Sequence, residues 1–373
     1  MQLTHVGDAY PSALAVSDLF ESTDAAASLS ALIGLEKLID RELKSDSPSA
    51  ECFDFPISDD RVGQEAALLR QKELSCDLAS WVDSYERVGD RTPYLWTWCR
   101  QGAEVTTLPC VSASRYDELC DTKVIGMMFD VLLDDIADQG GDAELLERLV
   151  GLPFSDNPPD WRAFANEEQK YAAFSELVWN EVQRRVERFP RYDEFADLLR
   201  YDYLQLMNTM RYSHLLNRFP SLLNLAEHDL YLPHNMMMMI CATMDLMCSP
   251  EFDFGEIGCM RQAAWHAQHM GRIGNLITTW EREIHEQDFT SGVFAHAVIY
   301  GELSLERLAN GDCKLIEHAI RDGQHEEYFL QQWRKHREQL LALRSSVRSV
   351  DLGGVVHGLD RLICLHLASR GLK

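Results

Sequence analysis

Three aspartates crowd one end of an apolar stretch. The segment reads Met127-Met128-Phe129-Asp130-Val131-Leu132-Leu133-Asp134-Asp135-Ile136-Ala137-Asp138-Gln139-Gly140-Gly141. Asp134 and Asp138 are four residues apart and Asp135 and Asp138 three, so on a helix these carboxylates share a face. Like charges at that spacing destabilise a helix by roughly 0.2–0.5 kcal/mol per pair. Acids in a last turn also oppose the helix dipole. A bound Mg²⁺ removes both penalties, because it takes oxygen ligands from one or two carboxylates and keeps positions for phosphate oxygens. The alternative is a solvated acidic helix end in a chain already rich in Asp and Glu.

A second row of oxygen donors lies further on, in Gly274-Asn275-Leu276-Ile277-Thr278-Thr279-Trp280-Glu281-Arg282-Glu283. Asn275, Thr279 and Glu283 are spaced i, i+4, i+8, and four helical steps drift by only about 40°, so the three side chains form one stripe. An amide oxygen, a hydroxyl and a carboxylate are hard ligands suited to a further Mg²⁺. Arg282, beside the last of them, is placed to donate to a phosphate. Chance polar residues on an amphipathic helix are the competing explanation. Against that, Asn and Thr compete for backbone partners and are poor mid-helix residues. His266 and His269, at i, i+3, have no third ligand near them in sequence, so they do not read as a metal site.

Helices must carry these groups. Apolar residues recur at three- and four-residue intervals over Leu29–Leu43, Gln64–Tyr85, Tyr116–Gln139, Tyr171–Arg188, Glu194–Leu216, Asn235–Met247, Phe254–Gln287, Val293–Leu308 and Glu326–Ser345. Runs of alternating β-branched residues, which strands would need, are nearly absent. Gly140-Gly141 closes a helix, residues 151–159 (GLPFSDNPP) form a loop, Pro220 ends another helix and Pro233 interrupts the region before Asn235. The expectation is an all-α protein. Residues 1–62 form an N-terminal extension, partly helical or loop, and residues 63–373 a single domain.

Composition narrows the partners. The 373 residues carry 35 Lys and Arg against 60 Asp and Glu, a formal charge of −25. Such a surface repels nucleic acid and anionic membranes, and an anionic small substrate needs bridging metal cations to approach it. Ten cysteines without a CxxC read as reduced thiols of a cytoplasmic protein. No basic segment precedes an apolar run, and no apolar stretch is long enough to insert into a membrane. A homodimer is compatible with the sequence.

Taken together, the two donor rows resemble those of the class I terpene synthases. The aspartate-rich motif of that family is similar to Asp134-Asp135-Ile136-Ala137-Asp138. Its second metal motif is similar to Asn275, Thr279 and Glu283, with Arg282 as the basic residue before the glutamate. The motifs lie 275 − 134 = 141 residues apart, and the likeness extends over roughly Leu95 to Ala368. It implies a single-domain helical bundle around a central apolar cavity, with three Mg²⁺ ions bridging Asp134, Asp138, Asn275, Thr279 and Glu283 to a prenyl diphosphate. The activity implied is that of a carbon–oxygen lyase acting on phosphates, which ionises a linear prenyl diphosphate and cyclises the cation. Geranylgeranyl diphosphate is slightly preferred over farnesyl diphosphate on size.

This sequence departs from the family at the diphosphate contacts. The region where an arginine is expected, about 46 residues before Asn275, reads Glu227-His228-Asp229. Arg211 or Arg218 stands in for it, and Arg361 stands in for a terminal Arg-Tyr pair. Phe129, Trp265, Trp280, Phe294 and Tyr300 are candidates to line the cavity, with core packing the competing role for each. The Met236–Met239 run reads as plastic core. The rival functions are a chain-elongating trans-prenyltransferase and a catalytically silent isoprenoid-binding protein.

Overall fold

The computed structural model describes residues 57–138, 141–155, 157 and 159–372. Among them are fifteen α-helices and no strand. In chain order they are α1 (Asp59–Gln71), α2 (Cys76–Tyr85), α3 (Pro93–Thr106), α4 (Tyr116–Asp138), α5 (Ala143–Leu149), α6 (Asn166–Val186), α7 (Tyr192–Arg218) and α8 (Leu225–Tyr231). There follow α9 (Met238–Met247), α10 (Ile257–Glu286), α11 (Gly292–Ile299), α12 (Leu305–Ala309), α13 (Cys313–Asp322), α14 (His325–Ala342) and α15 (Leu352–Ala368). The segment read at Leu29–Leu43 lies outside the described residues. Helix α1 starts a few residues before the boundary read from composition at 62/63, and it packs against α15.

Local chemistry accounts for the helices that periodicity missed or merged. The segment read as Gln64–Tyr85 is two helices, because Ser75 caps a new one by accepting from the Leu78 N–H at 3.1 Å. Helix α3 opens with Pro93 at its first position, where a missing N–H costs nothing. The segment read as Val293–Leu308 is divided between α11 and α12, with Ser304 capping the second through the Arg307 N–H. Helices α13 and α15 begin at Asp312 and Asp351, whose carboxylates cap their first turns.

Two long helices face each other across the bundle. Helix α4 is buried through Val124, Ile125, Met128, Phe129, Leu132 and Leu133, and its far end closes with the Gly141 N–H bonded to the Ile136 carbonyl at 2.9 Å. Helix α10 runs 30 residues, about 45 Å at the α-helical rise. Helix α15 lies close between α10 and α3. A Cβ on Gly274 would come within 2.7 Å of the His366 ring, and one on Gly358 within 2.0 Å of the Val105 carbonyl. Gly274 leaves room for the His366 side chain, and Gly358 lets the α15 and α3 backbones touch.

Three histidines meet in the long seam between α10 and α14. The structure supplies the neighbour that sequence did not: His336 of α14 stacks on His269 with ring centroids 4.5 Å apart and 7° between planes. Its Nδ1 lies 3.0 Å from His266 Nδ1. Burial pushes His269 down to about 3 and His336 to about 4, with neighbouring imidazoles adding to the effect. Unfolded histidine titrates near 6.5, so between pH 6.5 and 4 the unfolded chain binds protons that the folded one refuses. These rings therefore give their full stabilisation above pH 6.5 and lose it as pH falls. The expected loss is on the order of 1 kcal/mol per pH unit for the pair, after solvent screening. Urea unfolding at pH 7.0, 6.0 and 5.0 should show it, and a His269→Gln/His336→Gln variant should have a flatter acid limb.

Candidate active site

The ends of α4 and α10 converge on one cavity of about 160 Å³, whose wall includes Asp134, Asp138, Asn275, Thr279, Arg282 and Glu283. Two rows read from segments 141 residues apart thus share one opening. The α4 row is longer than its motif. Asp130 lines the same cavity one turn deeper, so Asp130, Asp134 and Asp138 repeat at four-residue steps and mirror Asn275, Thr279 and Glu283.

Asp135 is the exception in its motif. It turns off the cavity and pairs with Arg91, Nη2 to Oδ1 at 2.7 Å, while Tyr85 donates to its other oxygen at 3.2 Å. Two of three neighbouring carboxylates therefore face the cavity, as helical geometry requires of residues 100° apart.

The oxygens on this wall are poorly matched by the protein itself. Asp134 accepts from Asn235 Nδ2 at 2.8 Å, and Glu283 accepts from Thr279 Oγ1 at 2.5 Å. Yet Asp130 Oδ1, Asp138 Oδ1, Asn235 Oδ1 and Glu283 Oε2 are buried with no hydrogen bond to the protein. Burial, then like charge from neighbouring acids, raises Asp138 well above the usual carboxylate range. Glu283 is pushed up to about 7 by burial and by Asp288. Buried, unmet anionic oxygens are costly unless paired or bound to metal. Their hard-oxygen chemistry fits Mg²⁺, so Asp134 and Asp138 on one side and Asn275, Thr279 and Glu283 on the other form a suitable donor set. Among the described residues, no three His, Cys, Asp or Glu side chains already converge on a single point, and the second row draws two of its three donors from Asn and Thr.

A braced loop completes the mouth. Asn217 of α7 donates from Nδ2 to the Asp138 carbonyl at 3.1 Å and to Asp288 Oδ1 at 3.2 Å, and its Oδ1 accepts from the Phe289 N–H at 2.7 Å. Asp288 in turn accepts from the Thr290 N–H and hydroxyl. One amide side chain so fixes the end of the α4 row against the loop that follows the α10 row. Asp288 and Thr290 both line the cavity.

Three guanidinium groups reach this wall: Arg91, Arg272 and Arg282. Arg272 donates from Nη2 to the Thr290 carbonyl at 2.9 Å, and Arg282 donates to both Glu286 oxygens at 2.8 Å. The Nε atoms of Arg272 and Arg282 are buried without an acceptor. Of the four arginines offered from sequence, all but Arg282 lie elsewhere. Arg211 is held on the surface by Glu147 at 2.9 Å, and Arg361 pairs with Glu65 at 2.6 Å. Arg218 lies over the Phe219 ring.

The aromatic candidates also fall outside the cavity wall. Phe129 is buried against Trp179, with centroids 5.2 Å apart. Trp280 is buried and donates to Glu326 at 2.7 Å, and Phe294 is packed in the core. Trp265 packs at a steep angle against His234 and His269, while Tyr300 is 64% exposed. Trp98 of α3 is the indole on the cavity wall instead, with Leu95, Cys99, Met127, Val131 and Leu362. Met236, Met237 and Met238, read as core plastic, are part of this wall too. They sit where a 3₁₀ turn, Leu232–Met236, gives way to α9 through Met237 in a left-handed conformation, φ 52°. Gln268 accepts the otherwise unmet Met239 N–H at 3.2 Å.

This chain has the helical topology of the class I terpene synthase fold. Its backbone is similar to that of the linalool/nerolidol synthase from Streptomyces clavuligerus in complex with 2-fluorogeranyl diphosphate, with a TM-score of 0.51 and 13% identity over 82% of this chain and 97% of that one. It is also similar to the isoprene synthase from grey poplar leaves (Populus x canescens), with a TM-score of 0.52 and 12% identity over 95% of this chain and 66% of that one. No protein-family model matches the chain, and no curated protein sequence does either. Among the described residues no helix is long and apolar enough to cross a membrane.

Proposed function

We propose that the protein is a Mg²⁺-dependent class I terpene synthase, a carbon–oxygen lyase that ionises a linear prenyl diphosphate and cyclises the resulting cation. The observation that carries this reading is the pair of oxygen-donor rows facing one another across a single cavity, with unmet carboxylate oxygens at its mouth and apolar side chains within. Asp134 and Asp138 would hold metal on one side, and Asn275, Thr279 and Glu283 on the other. When bound, Mg²⁺ supplies positive charge against the departing diphosphate.

The chain's own groups do the rest. Arg91, Arg272 and Arg282 orient the diphosphate, because charge-assisted hydrogen bonds from guanidinium suit phosphate oxygens. Arg91 must then exchange Asp135 for the ligand. Trp98 offers a π face to positive charge, and the methionine and leucine walls keep water from the hydrocarbon.

The test is incubation of the full chain with geranyl, farnesyl and geranylgeranyl diphosphates, with and without Mg²⁺. Inorganic diphosphate should appear only with metal, together with a terpene hydrocarbon or alcohol seen by gas chromatography–mass spectrometry. The C20 substrate should be turned over best. Chain-extended diphosphates on adding isopentenyl diphosphate would replace the reading with a prenyltransferase, and silence on all three substrates would replace it with isoprenoid binding alone.

A further inference from the structure

Inside the metal rows the cavity wall turns apolar, and one carboxyl interrupts it. Asp130 is 7% exposed and sits a full turn inside Asp134. Its Oδ1 makes no hydrogen bond to the protein. Burial and the neighbouring Asp134 both act against its charge, and no cation among the groups that act on it offsets them. Around the cavity from Asp130 stand Trp98, Met127, Val131 and Met237. An apolar side chain of similar size would be more stable here than a carboxyl with an unmet oxygen.

A carboxyl presents an oxygen lone pair to its surroundings whether it is ionised or protonated. In a dry cavity that lone pair attracts positive charge on a hydrocarbon. We propose that Asp130 meets the cation formed on the prenyl chain and governs where its charge rests when the reaction ends, so that this residue determines the product distribution. The inference rests on the prenyl diphosphate reading above. The balance is simple: the allylic C–O bond breaks, its electron pair leaves on the diphosphate, and one positive charge remains on the hydrocarbon. Asp130 forms no bond to it and acts by electrostatics alone, favouring carbons near Oδ1. The competing role is a third metal ligand, since Asp130 continues the row of Asp134 and Asp138.

The experiment compares Asp130→Leu and Asp130→Asn with the unaltered full chain, using farnesyl and geranylgeranyl diphosphates as probes. Three quantities are read: inorganic diphosphate release against Mg²⁺ concentration, product distribution, and thermal midpoint without ligand. Expected for Asp130→Leu are diphosphate release within about tenfold of the parent and a Mg²⁺ requirement within about twofold. The major product should be displaced, and the thermal midpoint should rise. The amide carbonyl of Asp130→Asn keeps a lone pair, so its products should shift less. An unchanged product distribution in Asp130→Leu overturns the proposal, as does a fall in thermal midpoint in both variants, which marks a structural residue. A loss of release beyond about a hundredfold with a raised Mg²⁺ requirement assigns Asp130 to the metal. If the parent releases no diphosphate from either probe, the functional reading fails first, and that outcome is distinct from all of these.

Discussion

Asp134→Ala and Asp138→Ala are expected to lower Mg²⁺-dependent diphosphate release by about 10³-fold or more, while Asp135→Ala behaves differently in kind. The first two remove oxygens that line the cavity. Stabilising charge that develops in the transition state contributes several kcal/mol, and about 4 kcal/mol corresponds to 10³ in rate. Asp134→Ala gives up the hydrogen bond from Asn235 Nδ2 and should cost about 1 kcal/mol of stability. Asp138 has a buried oxygen with no partner and stands beside other acids, so Asp138→Ala is expected to hold or raise the thermal midpoint. Asp135 holds Arg91 and Tyr85. Its removal leaves a half-buried guanidinium unpaired, which should cost stability of about 1–3 kcal/mol, with a smaller effect on Mg²⁺ dependence. Diphosphate release and thermal midpoint measured side by side would check the split. Equal loss of activity and stability in all three variants would show that the motif acts as a structural unit rather than as two functions on one turn.

The largest expected loss of stability lies away from the cavity, at Lys123 and Asp245. Lys123 is fully buried on α4, and its Nζ is 2.5 Å from Asp245 Oδ1 on α9. Nζ also donates to Thr107 Oγ1 at 2.9 Å, and Asp245 Oδ2 accepts the Leu108 N–H at 3.0 Å. Three helices meet at this pair: α3 by its end, α4 and α9. Asp245→Ala would leave an uncompensated ammonium and an unmet backbone N–H in the core, a change that typically costs about 3–5 kcal/mol. The doubly apolar Lys123→Met/Asp245→Leu should recover most of that, because desolvating two charges offsets much of their attraction. Denaturant unfolding of the two single variants and the double is the measurement. Additive losses, without recovery in the double, would count against the pair acting as a unit.

Such pairs also show where sequence reading stops. Lys123 and Asp245 are 122 residues apart, and nothing in the local pattern of either marks them as partners. The same holds for Arg91 with Asp135, and for Asn217, whose amide ties Asp138 to Asp288. His266 and His269 read as an isolated pair because His336, which completes their cluster, comes from another helix 67 residues on. Asp130 was in plain view within the quoted segment. The motif does not include it, although its spacing of four from Asp134 is a signal that places it on the same face. Ser75, which caps α2, and Pro93 at the first position of α3 were likewise local signals for helix starts that periodicity alone ran past.

What the amino-acid order determined by itself was the class of fold and the two donor rows. Helical periodicity is a local property, and residues four apart on a helix share a face whatever surrounds them. Which of those faces looks into the cavity was decided only by packing. Arg211 and Arg361 were drawn off by Glu147 and Glu65, while Arg91 and Arg272 were brought in. Phe129, Trp280 and Phe294 went to the core, while Trp98 and the Met236–Met238 turn went to the wall. The physical reason is that a side chain's neighbours along one helix follow from 3.6 residues per turn, whereas its neighbours across the bundle depend on how every other helix packs.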